Sequence, residues 1–221
     1  MKELGLLTIG QTPRVDFVSE IKDILGKDVN IVQKGALDGL TSDDAQRFYP
    51  GEQDETLVTK MADGTTVKVA DKYIIPRLQK KVDEFEEEGI SVIYLACTGE
   101  FPSVTSRSMI VKPQRIMYNV VSAMAENLIL GVMIPDKSQA AIIKRKWGGL
   151  AKDIKIEPAY PYGDIDEITD ASNELKCMDV GIVIMDCMGY SMAMKDIAAS
   201  IISKPVINAR SLTAKIIGDI I

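Results

Sequence analysis

Residues 179–191 read DVGIVIMDCMGYS. An apolar run, Val180–Met185, ends in Asp186-Cys187, and a glycine follows at 189. A short apolar run cut off by a turn signal reads as a strand buried on both faces, the kind that parallel sheets use. Residues 89–101, GISVIYLACTGEF, repeat the pattern, with Cys97 at the strand's end and Gly99 two residues on. The match extends outward. VKPQRIMYNVVSAM from Val111 lines up with SKPVINARSLTAKI from Ser203 on their Lys-Pro pairs, and LGLLTIGQTPR pairs with ILGVMIPDKSQ as opening strands.

Helical spacing fills the intervals between these strands. After the first strand, Thr12 suits an N-cap and Pro13 the first helical position, with Val15, Val18, Ile21, Ile24 and Leu25 following. A long charged helix spans about 71–88 and closes at Gly89. ETLVTKMADGTTVKVA alternates around Asp63-Gly64 and reads as an inserted hairpin near 55–70. The expected fold is α/β, with two pseudo-symmetric halves, each a mainly parallel sheet flanked by helices. The halves divide as 1–117 and 118–221, with a crossover of the terminal helix allowed and a ligand cleft between them. The hairpin would cover the cleft or make a homo-oligomer contact.

The 221 residues suffice for one large or two small domains. Net charge is −6 and no Lys/Arg cluster offsets it, which argues against nucleic acid and anionic membranes as partners. The opening MKELGLLTIGQTPR has too short an apolar run for a secretory signal, and no run is long enough to span a bilayer. Three scattered cysteines make no disulfide framework, so a reducing cytoplasm is the expected setting. There is no histidine. That excludes Ser-His-Asp and Cys-His hydrolases and His-ligated zinc, and leaves proton transfer to Cys, Asp/Glu, Lys or Tyr. No metal site is expected.

Open α/β sheets bind ligands at the carboxyl ends of their strands, where Cys97 and Cys187 both lie. A single buried cysteine is more often inert packing; two at matching positions shift the balance toward chemistry. If the halves face each other, the thiols flank one carbon and suit a two-base proton transfer. The segment Thr8, Gly10, Gln11, Thr12 supplies donors at a helix start, an expected anion seat. Arg14 is either a carboxylate clamp or a solvated surface arginine. Asp186 either orients a substrate amine or holds its turn, the alternation of a strand favouring the turn. Thr98 either donates to a carboxylate or caps its loop, and Gly99, Met188 and Gly189 complete the two turns. Arg107, Arg115 and Arg210 are weaker candidates near strand ends. Tyr190 lines the cleft or packs at its rim, and Cys177, at a helix end, reads as structural.

LTIGQTPR at 7–14, the acid-cysteine-x-Gly turn at 186–189 and nearly the whole length resemble the AroM family, within the aspartate/glutamate/hydantoin racemase superfamily. That resemblance implies a cofactor-independent enzyme with one cysteine from each of two halves, as in racemases and maleate isomerases; arylmalonate decarboxylases keep one of the two. It implies a small carboxylate-containing metabolite as partner. The racemase pattern commonly puts Asn-Thr after the first cysteine and Thr-His after the second; here Thr98-Gly99 and Met188-Gly189 stand there. The expected function is a racemase-like isomerase or a lyase, using cysteine-mediated proton transfer on a small carboxylate. The alternatives are a non-catalytic small-metabolite-binding protein on the same scaffold, or an interaction partner of other enzymes.

Overall fold

The computed structural model describes residues 2–221. They divide into two compact units, the chain up to Pro113 together with Ala214–Ile221, and Gln114–Thr213.

The first unit holds β1 (Lys2–Thr8), α1 (Val15–Leu25), β2 (Val29–Gly35), α2 (Ser42–Gln46), β3 (Thr56–Lys60), β4 (Thr66–Ala70), α3 (Asp71–Glu87), β5 (Val92–Leu95) and β6 (Met109–Val111). Its main sheet is parallel, in the order β2-β1-β5-β6. Leu4, Leu6 and Leu7 of β1 are fully buried, as a strand covered on both faces requires. α3 buries Ile74, Leu78, Val82 and Phe85, a helical stripe at spacings of four, four and three, and Gly89 follows its cap with φ 78°.

α4 (Pro113–Ser122) leads into β7 (Ile129–Ile134), α5 (Ala140–Trp147), β8 (Asp153–Pro158), α6 (Asp166–Cys177), β9 (Ile182–Met185), α7 (Met192–Ile202), β10 (Val206–Asn208) and α8 (Ala209–Ile220). The second sheet is parallel, in the order β8-β7-β9-β10. Each sheet thus runs second strand, first, third, fourth in its own series, and the duplicated α/β topology read from the sequence is present. α8 starts in the second unit and its last residues belong to the first.

Three local readings are corrected. The Lys-Pro match is not part of the repeat: Lys112-Pro113 follow β6, whereas Lys204-Pro205 precede β10. The strands themselves correspond, and the shared dipeptide is coincidental. The first helix does not begin at Thr12-Pro13. That peptide is cis, and the helix starts at Val15 with Arg14 as its cap. Cys177 is exposed at the end of α6, so it fills no core position.

The hairpin β3–β4 has the expected antiparallel register, from Thr56 against Ala70 to Lys60 against Thr66. Leu57, Met61 and Val69 join the same hydrophobic core as Leu7, Leu37 and Ile93. The hairpin is therefore part of the packing of the first unit.

Candidate functional site

In both sheets the strand order reverses beside the first strand, so each switch point lies between the first and third strands of the series, β1 and β5 or β7 and β9. Crevices open at the carboxyl ends of such pairs because the flanking helices depart to opposite faces. Cys97 lies two residues past β5 and Cys187 two past β9. Both are partly exposed thiols. The two turns share one detail: the amide of Gly99 donates to Cys97 Sγ at 3.4 Å, and that of Gly189 to Cys187 Sγ at 3.3 Å. An N–H aimed at sulfur favours the thiolate over the thiol. The Cys-x-Gly spacing has its reason here, since a Cβ at 189 would lie 2.8 Å from Tyr162 Oη and 2.9 Å from Pro161 Cγ. At 99 it would press on the Phe101 ring at 3.1 Å.

The loop after β1 differs from the expected anion seat. Gly10 N donates to Thr8 Oγ1, Gln11 N to Lys60 O and Thr12 N to Asp38 Oδ1. Asp38 also accepts from Thr12 Oγ1 and, at 2.7 Å, from Gly35 N. A carboxylate of the chain itself therefore fills the place read as a substrate carboxylate's. Gln11 ties three segments together: its Nε2 donates to Leu37 O and Leu40 O, and its Oε1 accepts from Ala62 N in the hairpin turn. Thr8 is 1% exposed. Gly10 permits the close approach of β3, because a Cβ there would lie 2.4 Å from Lys60 O. Arg14 is buried rather than solvated, and its guanidinium grips Asp16 with two parallel bonds of 3.0 Å.

Behind the second turn lies a buried ion pair. Lys146 Nζ, from α5, donates to both carboxylate oxygens of Asp186 at 2.9 Å, and Trp147 Nε1 donates to Oδ2 at 2.8 Å. These bonds tie Asp186, at the start of the turn, to α5. Arg210, ranked among the weaker candidates, is 1% exposed and donates to Met188 O and Gly189 O within the cysteine turn. Asn208 accepts from Ser211 N and donates to Tyr190 O, capping α8 while joining it to the same turn. Tyr190 is fully buried and donates to Ala159 O, so it packs in the core. Burial, followed by the neighbouring Cys187 and Asp186, holds its phenol well above the usual range.

Lys112 supplies a cation to the loop after the first turn, donating to Phe101 O at 2.7 Å and Val104 O at 2.9 Å. Thr98 is buried beside Cys97. Arg107 is drawn away to Glu86, and Arg115 is exposed on α4. Lys146, Lys112 and Asp38 escaped the sequence reading. Lys146 sits in the cationic run KRKW and looks like a solvated helix face; Asp38-Gly39 carried only a turn signal. Among the described residues, no three His, Cys, Asp or Glu side chains converge to hold a metal ion, and no helix is long and apolar enough to cross a membrane.

The duplicated parallel α/β fold is similar to that of a glutamate racemase, an allantoin racemase and an aspartate racemase. The family model described as AroM protein matches residues 4–221, and the chain belongs to the AroM family. No curated protein matches it in sequence. Among solved structures, a maleate cis-trans isomerase of Nocardia farcinica bound to TRIS is similar with TM-score 0.64 at 12% identity, over 98% of this chain and 91% of that one. Glutamate racemase from Aquifex pyrophilus aligns with TM-score 0.60 at 12% identity, over 99% and 84%. Unliganded arylmalonate decarboxylase aligns with TM-score 0.62 at 8% identity, over 96% and 89%.

Proposed function

We propose that this chain is a cofactor-independent isomerase, racemase or lyase acting on a small carboxylate, with Cys97 and Cys187 as its proton carriers. One thiolate takes the proton from the carbon beside the acid group. The other thiol returns a proton to the opposite face. In a decarboxylation no C–H proton is removed: loss of carbon dioxide leaves the carbanion, and one thiol protonates it. The observation that carries this reading is the duplicated N–H···S bond, 3.4 Å at Cys97 and 3.3 Å at Cys187, at equivalent strand ends. A cysteine kept only for packing has no need of an aimed amide, whereas a proton carrier needs accessible thiolate at neutral pH. The similarity in fold to racemases, an isomerase and a decarboxylase supports the reaction class. This chemistry needs both thiols reduced, and a reducing cytoplasm is the proposed setting.

Substrate contacts are proposed at Thr98, Gly99, Met188 and Gly189, which form the turns. A second reading, a metabolite-binding protein without turnover, draws on the engagement of the 10–12 amides and of Arg14 within the chain. The two part in heavy water. Amino acids, hydroxy acids and dicarboxylates are incubated with the protein and the α-proton is followed by NMR. Isomerisation that Cys97→Ser and Cys187→Ser each reduce by at least about 10²-fold, with exchange on one face persisting, supports the enzyme. Binding without exchange, unaffected by either substitution, supports the carrier.

A further inference from the structure

The two thiol turns share their N–H···S bond and differ in what lies behind it. A peptide's C=O and N–H belong to one planar resonant unit. The N–H that faces Cys187 Sγ belongs to the peptide whose carbonyl is Met188 O. That oxygen accepts two bonds from Arg210, 3.1 Å from Nε and 2.8 Å from Nη2. The same guanidinium reaches Gly189 O at 3.2 Å. A charge-assisted bond on the oxygen polarises the unit and strengthens its N–H as a donor. It also fixes the plane, so that the N–H stays aimed at sulfur. Beside the first turn, Lys112 donates to Phe101 O and Val104 O, farther along its loop.

We infer that Arg210 is a positioning residue that makes Cys187 the resident thiolate of the pair, acting through the peptide between Met188 and Gly189. The role within a reaction rests on the two-thiol reading above; the difference between the two thiols does not. Other ionisable groups near the turn have contacts of their own. Asp186 precedes the cysteine and opposes a thiolate, but its charge is matched by Lys146 from α5. Tyr190 is buried with its hydroxyl on Ala159 O, and Tyr162 stands over Gly189. Glu167 of α6 is turned to Tyr160 N. Arg210, buried in the low-dielectric interior where a charge acts most strongly, is the cation on the turn itself. Its fork matches two carbonyls, which a lysine cannot reproduce.

The test reads thiol acidity without substrate. Cys177→Ser removes the exposed thiol that shares a tryptic peptide with Cys187. In that protein, iodoacetamide labelling of Cys97 and Cys187 is followed against pH by peptide mass spectrometry. Cys187 is expected to titrate at least about one pH unit below Cys97. Arg210→Met should raise the Cys187 midpoint by about one unit, slowing labelling below it about tenfold, with Cys97 unmoved. Arg210→Lys should fall between. The inference is overturned if Cys187 titrates no lower than Cys97 in the parent, a measurement that needs no Arg210 variant to fold. It is equally overturned if a folded Arg210→Met protein leaves the Cys187 midpoint in place or moves both thiols alike. Failure of isotope exchange with every carboxylate would remove the proposed reaction and leave this result standing.

Discussion

Lys146 and Asp186 form a bifurcated ion pair, with Nζ 2.9 Å from both carboxylate oxygens, and both side chains are almost wholly withdrawn from solvent. The pair locks α5 to the end of β9, one residue before Cys187. Removing one member leaves the other buried without its counter-charge. Lys146→Met is expected to cost about 3–5 kcal/mol, measured by urea unfolding. The double variant Lys146→Met with Asp186→Leu should recover much of that loss, because neither charge of the pair is then buried without the other. A cost below about 1 kcal/mol for the single variant would mean that water reaches the pair.

Asp38 organises the loop after β1 by accepting from Thr12 N, Thr12 Oγ1 and Gly35 N. Asp38→Ala should cost about 2 kcal/mol, since it strands partly buried donors. Asp38→Asn, which keeps one acceptor, should cost less. The freed donors form the anion seat that Asp38 occupies in the parent. Sulfate at constant ionic strength should therefore raise the Tm of Asp38→Ala more than that of the parent. Equal shifts in scanning calorimetry would count against this account.

Glu86 anchors the segment before β6. Ser106 Oγ and the backbone and side chain of Arg107 donate to it, and these bonds hold its carboxyl down at about 2. A carboxylate depressed in the folded state stabilises that state above its unfolded value near 4.5, and the contribution fades as pH falls through that value toward about 2. Hydrogen exchange at 106–109 should accordingly quicken as pH is lowered through that window, after correction for intrinsic rates. Glu86→Gln should show faster exchange there at neutral pH and lose most of the acid dependence. An unchanged acid profile in that variant would refute the assignment.

Gly10 and Gly189 both stand where another chain segment presses close, but against different neighbours. A Cβ at 10 would meet backbone, Lys60 O at 2.4 Å, while at 189 it would meet the ends of the Tyr162 and Pro161 side chains. Gly10→Ala is expected to be the more destabilising, by about 3 kcal/mol or more, and Gly189→Ala to cost about 1–3 kcal/mol, because side chains yield and a paired strand does not. Urea unfolding of the two proteins would test the order.

Local patterns carried much of this protein's architecture. The apolar runs ending at Cys97 and Cys187, the helical stripes between them and the Asp63-Gly64 turn are all short-range signals. Each buried strand must be apolar on both faces, and each helix must repeat its stripe every three to four residues, so the duplicated parallel fold was legible. The Cys-x-Gly spacing was legible for the same reason, since its hydrogen bond closes within three residues. Tertiary structure alone decided which side chains serve the turns. Asp38 reaches Thr12 across 26 positions, Lys146 reaches Asp186 across 40 and Arg210 reaches Met188 across 22. None leaves a periodic trace. A buried lysine or arginine looks like a solvated one in a sequence, because only the packed fold supplies the carboxylate or carbonyls that make its burial tolerable.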